Sequence, residues 1–190
     1  MPLARARRVR SDSTIMQASN HPPENGFPPV AGDNARLLIL GSMPGRKSLD
    51  KAQYYAHPQN AFWPIMGDLF GFSPALPYAD RLEAIMQNGI VLWDVAHQCV
   101  RPGSLDADIR NVEPNDFRTF FAAHHHIRVI FFNGRKAEEL FRKLVLPSLS
   151  DEFSQIDTHL LPSTSPAHAS LSRAQKLEAW NIVYTPLEKS

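Results

Sequence analysis

Four strand-like runs, each followed by a stretch with helical spacing, predict an α/β chain: a three-layer sandwich with a four-stranded parallel sheet and helices on both faces. The runs are Ala35 to Leu40, Ile90 to Asp94, Ile127 to Phe132 and Ile156 to Leu161. The first contains Leu37-Leu38-Ile39-Leu40, an unbroken apolar stretch of the kind found in strands covered on both faces. A second observation points the same way. The runs lead into small or polar residues, Gly41-Ser42, Asp94, Asn133 and Ser163, and a parallel sheet brings these to one edge, where ligands of open α/β sheets bind. With 190 residues, 43% hydrophobic and 21% charged, the chain has the composition of one globular domain with its own core.

Taken in order, residues 1–32 read as a flexible basic and polar tail. Arg5, Arg7, Arg8 and Arg10 come without an acid until Asp12, and a polar, proline-containing stretch follows. Residues 33–190 then form the single domain. After the first strand, Gly41 to Asn60 is a loop, and Phe62 to Phe70 is a short helix stopped by Gly71. Pro77 to Asn88 is a packing helix with Leu82, Ile85 and Met86 at helical spacing, ended by Gly89. Arg101 to Asn111, beyond the second strand, is a long polar loop rich in turn formers, the type of segment that closes over ligands. Pro114 is expected in the first turn of a helix that buries Phe117, Phe120 and Phe121. The third strand leads through Asn133-Gly134 into a helix with Ala137, Leu140, Phe141 and Leu144 on one face. The fourth runs into Leu161-Pro162-Ser163-Thr164-Ser165-Pro166-Ala167-His168, before a last helix from Leu171 to Tyr184.

A net charge of +1 means that an anionic partner has to be met by a local patch, not by the field of the whole molecule. The single cysteine, Cys99, excludes an internal disulfide and argues against an iron–sulfur cluster or a zinc site built on several cysteines. No run approaches the roughly 18 apolar residues of a membrane span, and no apolar segment follows the N-terminal arginines, so a bacterial-type cytosol or nucleoid is the expected setting. Gly41-Ser-Met-Pro-Gly45 lacks the Gly-Lys-Ser/Thr of a phosphate loop, no Gly-x-Gly-x-x-Gly is present, and no serine sits on a Gly-x-Ser-x-Gly elbow. His124, His125 and His126 are consecutive at a helix end, where they favour the helix dipole over a metal.

There remains a pocket with aromatic walls (Tyr54, Tyr55, Phe62), amides (Asn60, Asn133) and serine-rich loops. Stacking grips a planar heterocycle, an amide reads its edge, and hydroxyls with backbone N–H groups hold flanking phosphates; this is the composition of a base-flipping site. Topology alone leaves a nucleotide-binding module or a small hydrolase open.

Six motifs in order closely resemble the DNA-deoxyinosine (hypoxanthine-DNA) glycosylase family of the uracil-DNA glycosylase superfamily. They are Gly41-Ser42-Met43-Pro44-Gly45, Tyr54-Tyr55-Ala56-His57-Pro58-x-Asn60-x-Phe62-Trp63, Leu92-Trp93-Asp94-Val95, Gly103-Ser104-Leu105-Asp106, Phe132-Asn133-Gly134 and Leu161-Pro162-Ser163-Thr164-Ser165-Pro166-Ala167. The resemblance implies a uracil-DNA glycosylase-like fold. It also implies a monofunctional enzyme that flips a deaminated base out of DNA and hydrolyses its N-glycosidic bond, with hypoxanthine as the base and uracil or xanthine as further candidates. A mismatch-type uracil/thymine glycosylase and a non-catalytic damaged-DNA binding module are the alternatives. No cofactor, metal or iron–sulfur cluster is implied, and the partner is DNA carrying deaminated bases, bound by a monomer away from any membrane.

By the same resemblance Asn60 supplies the amide that holds the attacking water, since Ser42 and Met43 occupy the positions where the superfamily usually carries an acid or amide. Asp94 is the alternative. Phe62 is expected to stack on the base, Asn133 to read its edge, and Tyr55, Ser42 and Met43 to wall it. Ser163, Thr164 and Ser165 are expected to grip phosphates, Pro166 to His168 to wedge into the duplex, and Lys136 to contact the backbone beside Arg135. Leu161 stands where uracil-excising relatives carry a histidine. Each residue also has a plainer reading: Asn60 as a helix cap, Phe62 as core, Asn133 as a turn former, Asp94 as a loop cap, and His168 and Lys136 as surface.

Overall fold

The computed structural model describes residues 21–102, 105–149, 153 and 155–188. In chain order the strands are β1 (Glu24–Asn25), β2 (Leu37–Gly41), β3 (Ile90–Asp94), β4 (Ala96–Val100), β5 (Arg110–Pro114), β6 (Val129–Asn133) and β7 (Asp157–Leu161). The helices are α1 (Arg46–Lys51), α2 (Phe62–Phe70), α3 (Tyr78–Gln87), α4 (Phe117–Ala123), α5 (Arg135–Leu140), α6 (Arg173–Trp180) and α7 (Thr185–Glu188).

The expected parallel sheet is present, in the order β3-β2-β6-β7. Alternate side chains build the two outer layers. Leu38, Leu40, Val91, Trp93, Ile130 and Phe132 pack on α4 and α5 through Phe117, Phe120 and Phe141, while Leu37, Ile39, Leu92 and Phe131 pack on α2, α3 and α6 through Ile65, Ile85 and Trp180. A period of two along a strand sends successive residues to opposite faces, so an all-apolar strand must be covered twice. The register levels the strand ends: Gly41 pairs with Asp94, Leu40 with Phe132, and Asn133 with Leu161. Four chain segments therefore leave the sheet together at its carboxyl edge.

Three features depart from the sequence reading. A second, antiparallel sheet, β1-β4-β5, stands beside the first. Its outer strand β5 is Arg-Asn-Val-Glu-Pro, polar enough to read as loop, and Pro114 ends this edge strand where no N–H is needed instead of opening a helix; α4 is capped by Asp116, whose carboxylate accepts from Thr119 N at 3.0 Å. The expected tail boundary also shifts. Residues 1–20 lie outside the described residues, but Glu24 and Asn25 pair with Cys99 and Gln98, and Val30 exchanges hydrogen bonds with Leu92 at 2.9 and 3.0 Å. Third, the loop after Gly41 contains α1, whose end is turned by Ala52 in the left-handed region at φ 51°.

Candidate active site

A cleft of about 630 Å³ opens at the carboxyl edge, walled by the Gly41–Ser48 turn, the segment around Tyr55 and Asn60, the ends of β3 and β6, and the loop from Ser163 to His168. A larger cavity of about 900 Å³ lies at the opposite edge among Arg118, Phe121, His124, Arg128 and Leu149. It receives none of the strand-end polar groups.

The floor is set by Gly41. A β-carbon there would stand 2.2 Å from Asp94 Oδ1 and 3.6 Å from Tyr55 Oη, so only glycine lets both groups approach the strand end. Asp94, at the end of β3, is 3% exposed, and its Oδ2 has no hydrogen-bond partner. Burial, followed by the negative charge of Asp106, pushes its carboxyl up to about 7, and Arg101 acts in the opposite direction. Arg101 is engaged elsewhere. Its Nε and Nη2 donate to Glu24 Oε2 at 3.1 and 2.6 Å, and Nη2 also donates to the Pro44 carbonyl at 2.7 Å. Glu24 Oε1 meets Arg46 Nη2 at 3.0 Å as an ion pair, outside hydrogen-bond geometry.

Tyr55 has φ 55°, a conformation non-glycine residues seldom adopt, and this turns its ring over Phe62 at a centroid distance of 3.8 Å and 20° between planes. Its hydroxyl is buried and unpartnered. Burial and the charge of Asp94 raise its pKa far above that of a free phenol, and the Asn133 side chain opposes this. Asn133 Nδ2 donates to Thr164 Oγ1 and its Oδ1 accepts from Thr164 N, each at 2.9 Å. The strand-end asparagine thus pins the last loop to the sheet. Phe62 is fully buried, edge-on to Trp63 and Trp180, and lies behind Tyr55 instead of facing the cleft. The aromatic surface presented to the cleft is therefore that of Tyr55.

Asn60 stands just before α2, at the rim of the cleft. Its Oδ1 accepts from Phe62 N at 3.0 Å, capping the start of α2, while the residue lines the cleft and stays part-exposed. Ser42 Oγ donates to Asp106 Oδ1 at 2.9 Å, drawing the loop after β4 over the turn, and Met43 is buried in the wall. The Ser163–His168 loop is tied down from three sides: Ala61 N donates to the Thr164 carbonyl at 3.0 Å, Trp180 Nε1 to the Pro162 carbonyl at 2.9 Å, and Lys176 Nζ to the Ser165 carbonyl at 3.3 Å. Ser163, Thr164, Ser165, Pro166 and His168 all line the cleft, and Gly134 (φ 97°) passes so close that a β-carbon would meet Ser163 Cβ at 2.9 Å. Lys136 does not line it and pairs with Glu139 at 3.6 Å. Arg46 and Lys47, which the sequence did not single out, join Arg135 among the lining residues. No described helix is long and apolar enough to cross a membrane.

A family model described as the uracil DNA glycosylase superfamily matches residues 28–183. The chain belongs to that superfamily. Relatives within it include a hypoxanthine DNA glycosylase of Methanosarcina acetivorans, 37% identical over 162 residues that cover 85% of this chain and 98% of the relative. Another, from Methanosarcina barkeri and of the same name, is 41% identical over 117 residues, 61% of this chain and 74% of the relative. The solution NMR structure of a candidate uracil DNA glycosylase from Methanosarcina acetivorans superposes with a TM-score of 0.74 at 36% identity, covering 87% of this chain and 99% of that one. As a superfamily member the chain has the α/β fold its sequence predicts.

Proposed function

We propose that this chain is a monofunctional DNA glycosylase that takes a deaminated base, hypoxanthine first, out of the helix into the carboxyl-edge cleft and hydrolyses its N-glycosidic bond, leaving an abasic site. The observation that carries this reading is the pairing of one aromatic face, Tyr55 backed by Phe62, with a polar floor of Asp94 and Asn60 in one cleft. The names of the two Methanosarcina relatives support hypoxanthine.

The roles follow from what each group has free. The flipped base stacks on Tyr55, which is held rigid by the phenyl ring beneath it. Asn60 Oδ1 uses one lone pair on the Phe62 N–H and keeps the other for a water beside the sugar carbon. Because the cap fixes the amide, the water is held in one orientation, which is the economy of a positioned nucleophile. The Ser163–Ser165 loop and the cations Arg46, Lys47 and Arg135 meet the flanking phosphates, and Pro166 and His168 stand where the duplex is parted.

The test is an excision panel: duplexes carrying hypoxanthine, uracil, xanthine or mismatched thymine, each incubated with the protein and then with alkali. Strand breaks at hypoxanthine that require the alkali step are expected. Since Lys47 lines the cleft, borohydride is included; a trapped covalent adduct would replace the monofunctional reading with a lyase.

A further inference from the structure

Of the buried side-chain polar atoms that lack a hydrogen-bond partner among the described residues, two belong to cleft residues, Asp94 Oδ2 and Tyr55 Oη. The Asp94 carboxyl, through its Oδ1, and the Tyr55 hydroxyl both approach Gly41. Their neighbours are committed elsewhere. Ser42 donates its hydroxyl to Asp106, Asn133 gives one N–H and one lone pair to Thr164, and Leu161 at the end of β7 is buried in the apolar cluster and offers no polar side-chain atom. A buried carboxyl oxygen without a partner is costly to keep, and one on a residue that lines a ligand cleft points to a group that the ligand completes.

Resting on the glycosylase reading above, we propose that Asp94 acts in its protonated form as the general acid for the departing base, with the Tyr55 hydroxyl as a second hydrogen-bond donor to it. The chemistry balances. As the bond from C1′ to the base nitrogen breaks, its electron pair stays with the base, and the Asp94 proton moves onto the base, which leaves neutral. The water held by Asn60 bonds to C1′, and the proton it sheds passes through solvent to the Asp94 carboxylate, restoring the acid. This role is opposite in sign to water activation by an ionised Asp94.

The surroundings set the protonation. Asp106 faces Asp94 from the turn after β4 and disfavours its charge; Tyr54 and Tyr55 face it from the segment before α2, and Cys99 from β4. Arg101, the cation on that side, gives its guanidinium to Glu24 and the Pro44 carbonyl, leaving Asp94 without a salt bridge. Glu24 on β1 thus keeps the acid available by holding Arg101.

The test is single-turnover excision of hypoxanthine from a duplex between about pH 5 and pH 9, for the wild type and Asp94→Asn, with duplex binding and thermal melting alongside. The wild-type rate is expected to be flat on the acid side and to fall about tenfold per pH unit above the Asp94 midpoint. Asp94→Asn, which keeps the shape but has no proton to give, is expected to be about 10²- to 10⁴-fold slower on the plateau, to lose that limb, and to bind the duplex as before. A wild-type rate that rises through the same region, or an Asp94→Asn rate equal to wild type, overturns the proposal. Should Asp94→Asn fail to fold, the sign of the wild-type limb decides by itself. A protein that releases no base at any pH defeats the glycosylase reading and this inference with it, whereas excision with the wrong pH sign defeats only the inference.

Discussion

The polar side chains of the cleft differ in what their surroundings leave free: Asn60 has one partner, whereas Asp94 Oδ2 and Tyr55 Oη have none among the described residues. Asn60 caps α2 with one lone pair and keeps the other, so Asn60→Ala has two separable effects: a loss of about 1 kcal/mol of stability from the missing cap, read by denaturant melts, and a fall in excision rate of about a hundredfold or more from the missing water contact. The sequence reading gives the stacking face to Phe62 and a wall to Tyr55; in the proposed site Tyr55 takes the face and Phe62 supports it from behind. Tyr55→Ala is expected to weaken binding to lesion-containing duplex with little change in melting, whereas Phe62→Ala, at a fully buried site, should cost about 3–5 kcal/mol of stability. Asp94 ties stability to pH. Its folded pKa of about 7 lies above the ordinary 3.8, so the folded state holds a proton the unfolded chain has released. Stability is therefore greatest below the unfolded value, declines as pH rises toward about 7, and levels off above it; Asp94→Asn should melt like wild type near pH 4 and higher than wild type near pH 8.

At the level of elements, the site depends on a strand that precedes the span matched by the family model. β1 brings Glu24 to Arg101, and Arg101 reaches the Pro44 carbonyl, so three segments meet at one guanidinium whose side chain is 1% exposed. Removing one member strands a buried charge: Arg101→Ala is expected to cost about 3–5 kcal/mol, while the double change Glu24→Leu with Arg101→Met should cost less than the single one, both read by urea titration. This arrangement was not legible in the sequence. β1 has two residues and β5 is almost wholly polar, so neither carries a hydrophobic period, and α1 is a single short helix in a stretch that reads as loop. Three of the four central strands were legible because burial on both faces leaves no polar residue inside them until the cleft, as in Leu37–Gly41 and Val129–Asn133, whereas β7, at the sheet edge, carries Asp157, Thr158 and His159. The polar residues at their ends were legible too, since Asp94 and Asn133 end β3 and β6 at the cleft. What could not be read was orientation: Tyr55 covers Phe62 through a left-handed backbone, and Asn133 turns inward to Thr164, both set by long-range contacts that spacing does not encode.

For the whole molecule, a net charge of +1 leaves DNA affinity to the local cations around the cleft. Arg46 and Lys47 look like ordinary surface residues in the sequence, and only the fold collects them on one rim with Arg135. Duplex binding should weaken linearly as log salt rises, and Arg135→Ala should reduce the magnitude of that slope by about one without changing which base is excised. The cleft as a base-excision site is the central claim, and the most direct measurement is single-turnover release of hypoxanthine from a duplex by the wild type, Tyr55→Ala and Asn60→Ala. Release by the wild type, with a large loss in both variants while they remain folded, is the result expected. Undiminished release by both folded variants would put the chemistry elsewhere on the molecule and contradict the account.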